Sequence, residues 1–209
     1  MDFLWIASYP RSGNTLLRTI LYQCFNLKSG SLYNNDLGGN KILEDYVGHI
    51  EHENYKVPFP LGTLEIIKTH DLVKDERPAI YIIRDVKDVV TSNWYFYEKH
   101  FSINDIIEGK VPFGKWSNHV HSWDPLKREN TLLLKYEDMI NNLEPVLINL
   151  SKFLKKEISS YKLPPREEIS KNDGRWVRRK SSWEETLSKE NLSRINHLYN
   201  LLMRQYGYI

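Results

Sequence analysis

The chain has one cysteine, Cys24, among 209 residues, so no disulfide can form within it. Cys24 falls in an apolar helical pattern, where it reads as a small core residue. No apolar run approaches the roughly 18–20 residues that a bilayer span needs. Asp2 leads straight into an apolar run, without the basic stretch and small-residue cleavage site of a secretory signal. These absences predict a cytoplasmic protein with no transmembrane segment. A dominant charge is missing too: 29 Lys and Arg against 27 Asp and Glu leave a net +2, too little to point to nucleic acid. Glycine is scarce where it would matter most. Tyr9-Pro10-Arg11-Ser12-Gly13-Asn14-Thr15 holds one glycine, Gly13, and lacks the Gly-Lys-Ser/Thr ending of an ATP-binding Walker loop.

With 41% apolar and 27% charged residues, the chain has the composition of a globular protein, and its length fits a single domain over 1–209. Short apolar runs predict strands near 3–8, 64–68, 79–83 and 131–135. Helical spacing predicts helices near 14–26, 86–99, 112–123, 143–155 and 183–206. The alternation implies an α/β fold, a three-layer sandwich with a central parallel sheet covered on both faces. Ligands in such sheets bind beyond the carboxyl ends of the strands. Segments 28–62 and 156–182 have no clear periodicity and read as binding loops or lids.

Four segments carry chemistry. Phe3 to Ser8 running into Tyr9–Thr15 and then an apolar helical pattern reads as strand, tight loop and helix, which aims backbone N–H groups at an anion. Arg84 closes a buried strand, Asp85 is placed to cap the next helix, and Ser92 lies about two turns along it. An arginine and a nearby hydroxyl can grip a second phosphate, although Arg84 alone reads more simply as the partner of a carboxylate. Lys68-Thr69-His70 ends another strand with a cation, a hydroxyl and an imidazole suited to general-base work near neutral pH. Taken alone, His70 reads as an ordinary surface or capping histidine. Finally, Lys171, Arg175, Arg178, Arg179 and Lys180 stand against Asp173 only, a local cluster that suits an anionic ligand or a solvated face.

Together these segments resemble the PAPS-dependent sulfotransferase family, P-loop NTPase-like enzymes that transfer a sulfuryl group from 3′-phosphoadenosine 5′-phosphosulfate. Tyr9–Thr15 is similar to the family's 5′-phosphosulfate loop, usually Tyr-Pro-Lys-Ser-Gly-Thr-Thr. Arg84-Asp85 through Ser92 resembles its 3′-phosphate motif, and Lys68-Thr69-His70 its Lys-Thr-His with the catalytic base. Tyr136-Glu137-Asp138 resembles the strand-end triplet whose tyrosine approaches the adenine. The chain departs from the pattern in three places: Arg11 stands for the commoner Lys, Leu16 for a Trp that stacks on adenine, and Arg178-Arg179-Lys180-Ser181-Ser182-Trp183 for a late Arg-Lys-Gly-x-x-Gly signature. It is also shorter than animal cytosolic members, which suggests a trimmed acceptor region.

The resemblance implies in-line transfer from PAPS, leaving PAP, with His70 as base and Arg11 and Lys68 stabilising charge on the sulfuryl group and the departing phosphate. Co-substrate binding falls to Arg11, Ser12, Gly13, Asn14, Thr15, Arg84, Ser92, Tyr136, Arg178, Arg179 and Lys180. The scheme calls on no metal. The seven histidines include no His-Glu-x-x-His; the pairs at 49/52 and 119/121 are not placed like zinc ligands. The acceptor is a hydroxyl, less readily an amine, on a small molecule, a carbohydrate or a lipid, in a pocket shaped by 28–62 and 95–125. The aromatics Trp94, Tyr95, Phe96, Trp116 and Trp123 read mostly as core, some as lining for that pocket. Two rival readings are a P-loop kinase, which would need the missing Walker lysine, and a catalytically silent PAP-binding protein.

Overall fold

The computed structural model describes residues 1–165, 171 and 182–209. Its elements run β1 (Phe3–Ser8), α1 (Asn14–Phe25), β2 (Gly30–Ser31), α2 (Lys41–Val47), β3 (Glu65–Thr69), β4 (Ala79–Ile83), α3 (Val86–Phe96), α4 (Ile103–Glu108), α5 (Trp116–Trp123), β5 (Thr131–Lys135), α6 (Tyr136–Asn141), α7 (Leu143–Leu154), α8 (Trp183–Thr186) and α9 (Lys189–Gln205). The strands form one parallel sheet in the order β2-β3-β1-β4-β5.

Successive strand residues point to opposite faces, and both faces are apolar. Leu4 and Ile6 of β1, Ile66 of β3, and Ile80 and Ile82 of β4 meet Leu17, Ile20, Leu21 and Cys24 of α1 and Leu147 and Leu150 of α7. Trp5, Ala7, Ile67, Tyr81 and Ile83 turn the other way, onto Val86, Val89 and Val90 of α3, Trp116 and Trp123 of α5, and Ile195 and Tyr199 of α9. The result is the expected three-layer, P-loop NTPase-like sandwich. Each fully buried Leu or Ile in these layers contributes about 1.5–3 kcal/mol. Among the described residues, no helix is long and apolar enough to cross a membrane.

Several boundaries differ from the sequence expectation, for local reasons. The helix expected over 183–206 is two helices, because Ser188 caps α9 and its hydroxyl accepts from the Asn191 amide. The helix begun at 86 stops at Phe96, where Glu98 and Lys99 take left-handed backbone angles. The aperiodic 28–62 holds β2 and α2, the latter capped by Asn40. Tyr136-Glu137-Asp138, expected as a strand end, is the first turn of α6, where two carboxylates suit the positive helix end. Trp116 and Trp123 are core as expected, but Tyr95 and Phe96 are 37% and 39% exposed. They lie on the last turn of α3, and the Phe96 ring sits under the Arg11 guanidinium rather than in a core layer.

Candidate active site

With β1 in the middle of the sheet, its trailing loop lies between the carboxyl ends of β3 and β4, where a cavity of about 510 Å³ opens. Arg11, Gly13, Asn14, Thr15, Lys68, His70, Arg84, Ser92 and Tyr136 all line it. Ser12 is buried and does not line it; its Oγ has no hydrogen-bond partner among the described residues. Arg178, Arg179 and Lys180 lie outside the described residues.

The loop needs its glycine twice over. Gly13 has φ 110°, and a Cβ there would stand 2.4 Å from Cδ2 of Tyr136. Unlike α2, α3, α4 and α9, helix α1 starts without a side-chain cap, and its first turn holds no acidic residue. Its first-turn N–H groups and positive helix end thus meet no carboxylate of their own turn. Asn14 is turned back to the sheet, its Nδ2 donating to the Ile6 carbonyl and to Ser8 Oγ, both at 3.3 Å.

Arg84, at the end of β4, is 3% exposed. Its Nη1 donates to the Arg11 carbonyl at 3.0 Å, and its guanidinium lies 4.1 Å from the Tyr136 ring centre. Asp88 stands 3.5 Å from Nη2, but among the described residues neither Nε nor Nη2 has a hydrogen-bond partner. Buried donors left in this condition fit an arginine built to meet an anion. Asp85 caps α3 as expected, accepting from the Lys87 amide at 2.9 Å. Ser92 Oγ accepts from Arg11 Nε at 3.2 Å, which ties the loop after β1 to α3.

On the β3 side, His70 Nδ1 lies 2.7 Å from the Ser8 carbonyl oxygen. A carbonyl can only accept, so Nδ1 carries the proton and Nε2 is the basic nitrogen. Burial, and then the Lys68 ammonium, hold the imidazole well below its ordinary pKa, so it is neutral at pH 7. The Tyr33 hydroxyl accepts the His70 amide at 2.7 Å and donates to Asp71 at 2.9 Å, and its ring stacks on the imidazole with 5.9 Å between centres.

Sequence reasoning missed Asp36 and Arg18. Asp36, in the loop before α2, pairs with Lys68 Nζ and with Arg18 Nη1, the latter at 2.7 Å. Arg18 also donates to Ser29 Oγ at 2.8 Å and to the Ser29 carbonyl at 3.1 Å, and lies 2.6 Å from His49 Nδ1. All three charged side chains are at most 5% exposed. Burial pushes the Asp36 carboxyl up, but Lys68 and Arg18 beside it bring it below its ordinary pKa. Arg18 stands beside the apolar stripe of α1 and Asp36 in an aperiodic loop, so no local pattern marks them.

The family model of the sulfotransferase domain matches residues 2–205. The chain is 31% identical over 183 residues to sulfotransferase 1 family member D1 of Mus musculus, covering 75% of this chain and 60% of that protein. It is 30% identical over 180 residues to sulfotransferase 1E1 of Homo sapiens, covering 76% and 60%. The chain thus spans about 60% of the length of these relatives. The crystal structure of mouse sulfotransferase SULT7A1 complexed with PAP superposes with a TM-score of 0.68 at 20% identity, covering 97% of this chain and 84% of that one. At that identity the likeness is one of fold.

Proposed function

The chain belongs to the sulfotransferase family, and on that premise we propose that it transfers the sulfuryl group of PAPS to an acceptor hydroxyl. The observation that carries the reading is His70: a neutral imidazole with Nδ1 held by the Ser8 carbonyl, lining the same cavity as Arg11, Lys68 and Arg84.

In the proposed step the acceptor oxygen bonds to sulfur as the bond from sulfur to the 5′-phosphate oxygen breaks. The acceptor proton passes to His70 Nε2, and PAP leaves with the electron pair. Arg11, Lys68 and the first amides of α1 offset the charge that grows on the sulfuryl and departing oxygens. Arg84 turns Nε and Nη2 to the 3′-phosphate, the group that sets PAPS apart from ATP-like nucleotides. Leu16, Met139, Ile140, Leu163 and Pro164 give that half of the cavity an apolar wall for the base. Tyr33, Phe96, Tyr97 and Phe113 form an aromatic wall for the acceptor, whether small molecule, carbohydrate or lipid.

Two measurements test this. PAP should raise the melting temperature in a thermal-shift titration and ATP with magnesium should not; the reverse pattern would sink the reading. A screen of hydroxyl and amine acceptors with labelled PAPS should then find transfer. For the best acceptor, His70→Ala should lower kcat by about 10²–10⁴-fold while PAP still binds. Near-wild-type turnover in His70→Ala would remove the histidine from the chemistry.

A further inference from the structure

Lys68 is a cation with almost no access to water, and burial lowers its pKa. A neutral amine there could not offset charge on a sulfuryl group. The charged and titratable groups around it include, among the described residues, Arg11 after β1, Arg18 on α1, His70 just past its own strand, Tyr33 with its ring centre 5.6 Å from Nζ, and Asp36. Arg11 and Arg18 repel a proton on Nζ, and Asp36 holds it there. The carboxylate reaches Nζ from a loop pinned nearby, because Tyr33 bonds the His70 amide and Asp71.

We propose that Asp36 is the positioning residue for Lys68, keeping its buried ammonium charged and held at the cavity wall. Arg18 completes the device. Asp36 has two cationic partners, so when Lys68 turns to an incoming anion the carboxylate stays paired with Arg18 at 2.7 Å. A buried carboxylate with Lys68 alone would have to be left uncompensated for the lysine to engage its substrate. Asp36 itself lines the cavity, so the ammonium has only a short way to turn. The catalytic part of this inference rests on the sulfotransferase reading; the charge-holding part does not.

The test reads Lys68 directly. In lysine-labelled protein, the Lys68 side-chain NMR signal is assigned by its loss in Lys68→Met and followed against pH. In Asp36→Asn its titration midpoint should fall by about one pH unit or more, and Asp36→Glu should recover most of that shift. The high-pH limb of kcat/KM should move down with it, since deprotonated Lys68 is the inactive form. An unmoved midpoint in Asp36→Asn overturns the proposal, as does a uniform loss of activity with the limb in place, which is what a purely structural role would give. If Asp36→Asn does not fold, the double variant Arg18→Met/Asp36→Asn is compared with Arg18→Met, so that only Asp36 differs, and its Lys68 midpoint and high-pH limb should lie about one pH unit or more below those of Arg18→Met. A shifted midpoint in a protein whose wild type transfers nothing from PAPS would uphold the role of Asp36 and overturn the sulfotransferase reading instead.

Discussion

On the β4 side of the cavity, Arg84 keeps two buried guanidinium nitrogens without hydrogen-bond partners among the described residues, with a carboxylate 3.5 Å from one of them. On the β3 side, Lys68 and Arg18 share Asp36, and Arg18 spends its remaining donors on Ser29 and the His49 ring. Both walls are cationic and both are buried, yet they are built for different ends. Unmet donors of a buried arginine cost stability that an arriving anion can return, so on the proposed function the first wall is the one suited to binding. In a buried ion cluster with its hydrogen bonds made, breaking any pair is costly, so on the proposed function the Arg18–Asp36 pair is a scaffold from which Lys68 reaches the cavity.

The contrast breaks most visibly at Arg18. Arg18→Ala should destabilise the fold by about 3–5 kcal/mol in urea unfolding, because Asp36 loses one of its two cationic partners, and Ser29 and His49 lose theirs, in a place water does not reach. Arg84→Met should cost far less: the unfolding free energy should move by about 1 kcal/mol or less, since two donors unbonded among the described residues are removed along with one bond to the Arg11 carbonyl and a long ion pair with the partly exposed Asp88. Its effect belongs in calorimetric titration with PAP, where losing charge-assisted bonds of about 1.5–3 kcal/mol each should weaken binding at least tenfold. Equal destabilisation by the two variants, with PAP affinity kept in Arg84→Met, would show that the walls do not differ in kind.

The difference also explains what could be read from the sequence. Arg11, Gly13, Arg84, Lys68 and His70 each lie within a few residues of a strand's carboxyl end, and a parallel sheet brings such ends together. Their chemistry is therefore written in short stretches. The cluster of Arg18, Asp36 and Lys68 joins three elements far apart in the chain, and one member sits in a loop with no period to follow. Only the Asn40 cap of α2, four residues past Asp36, hints that this loop is ordered. Ser92 shows the same limit on a smaller scale. Its hydroxyl lines the cavity and accepts from Arg11 Nε, a tie between α3 and the loop after β1 that no local pattern announces. The basic stretch at Arg178, Arg179 and Lys180 is a reading from sequence that the described residues do not reach.

The smallest expected effect separates the walls by pH. His119, fully buried beside Tyr81 with 2.9 Å from Nδ1 to the hydroxyl, is pushed down to about 3 by burial, and burial also lowers His70 and His49. Unfolded, these rings titrate near 6.5, so below that pH the unfolded chain binds more protons than the folded one. Their stabilisation is complete above about pH 6.5 and declines as the pH falls toward the folded values. On the Arg84 side the sign is reversed. Burial raises the Asp85 and Glu137 carboxyls, so the penalty they carry at high pH is relieved as acid protonates them. From pH 7 to pH 5 the net unfolding free energy should therefore fall by about 1–2 kcal/mol, a window in which the histidines act and ordinary carboxylates hardly titrate. Hydrogen exchange corrected for intrinsic rate should place that loss at β3, the loop around Asp36 and the contact of α5 with Tyr81, with β5 and α6 little changed. Stability that is flat or rising over this range, or a loss spread evenly across the sheet, would mean that the two walls answer to acid as one.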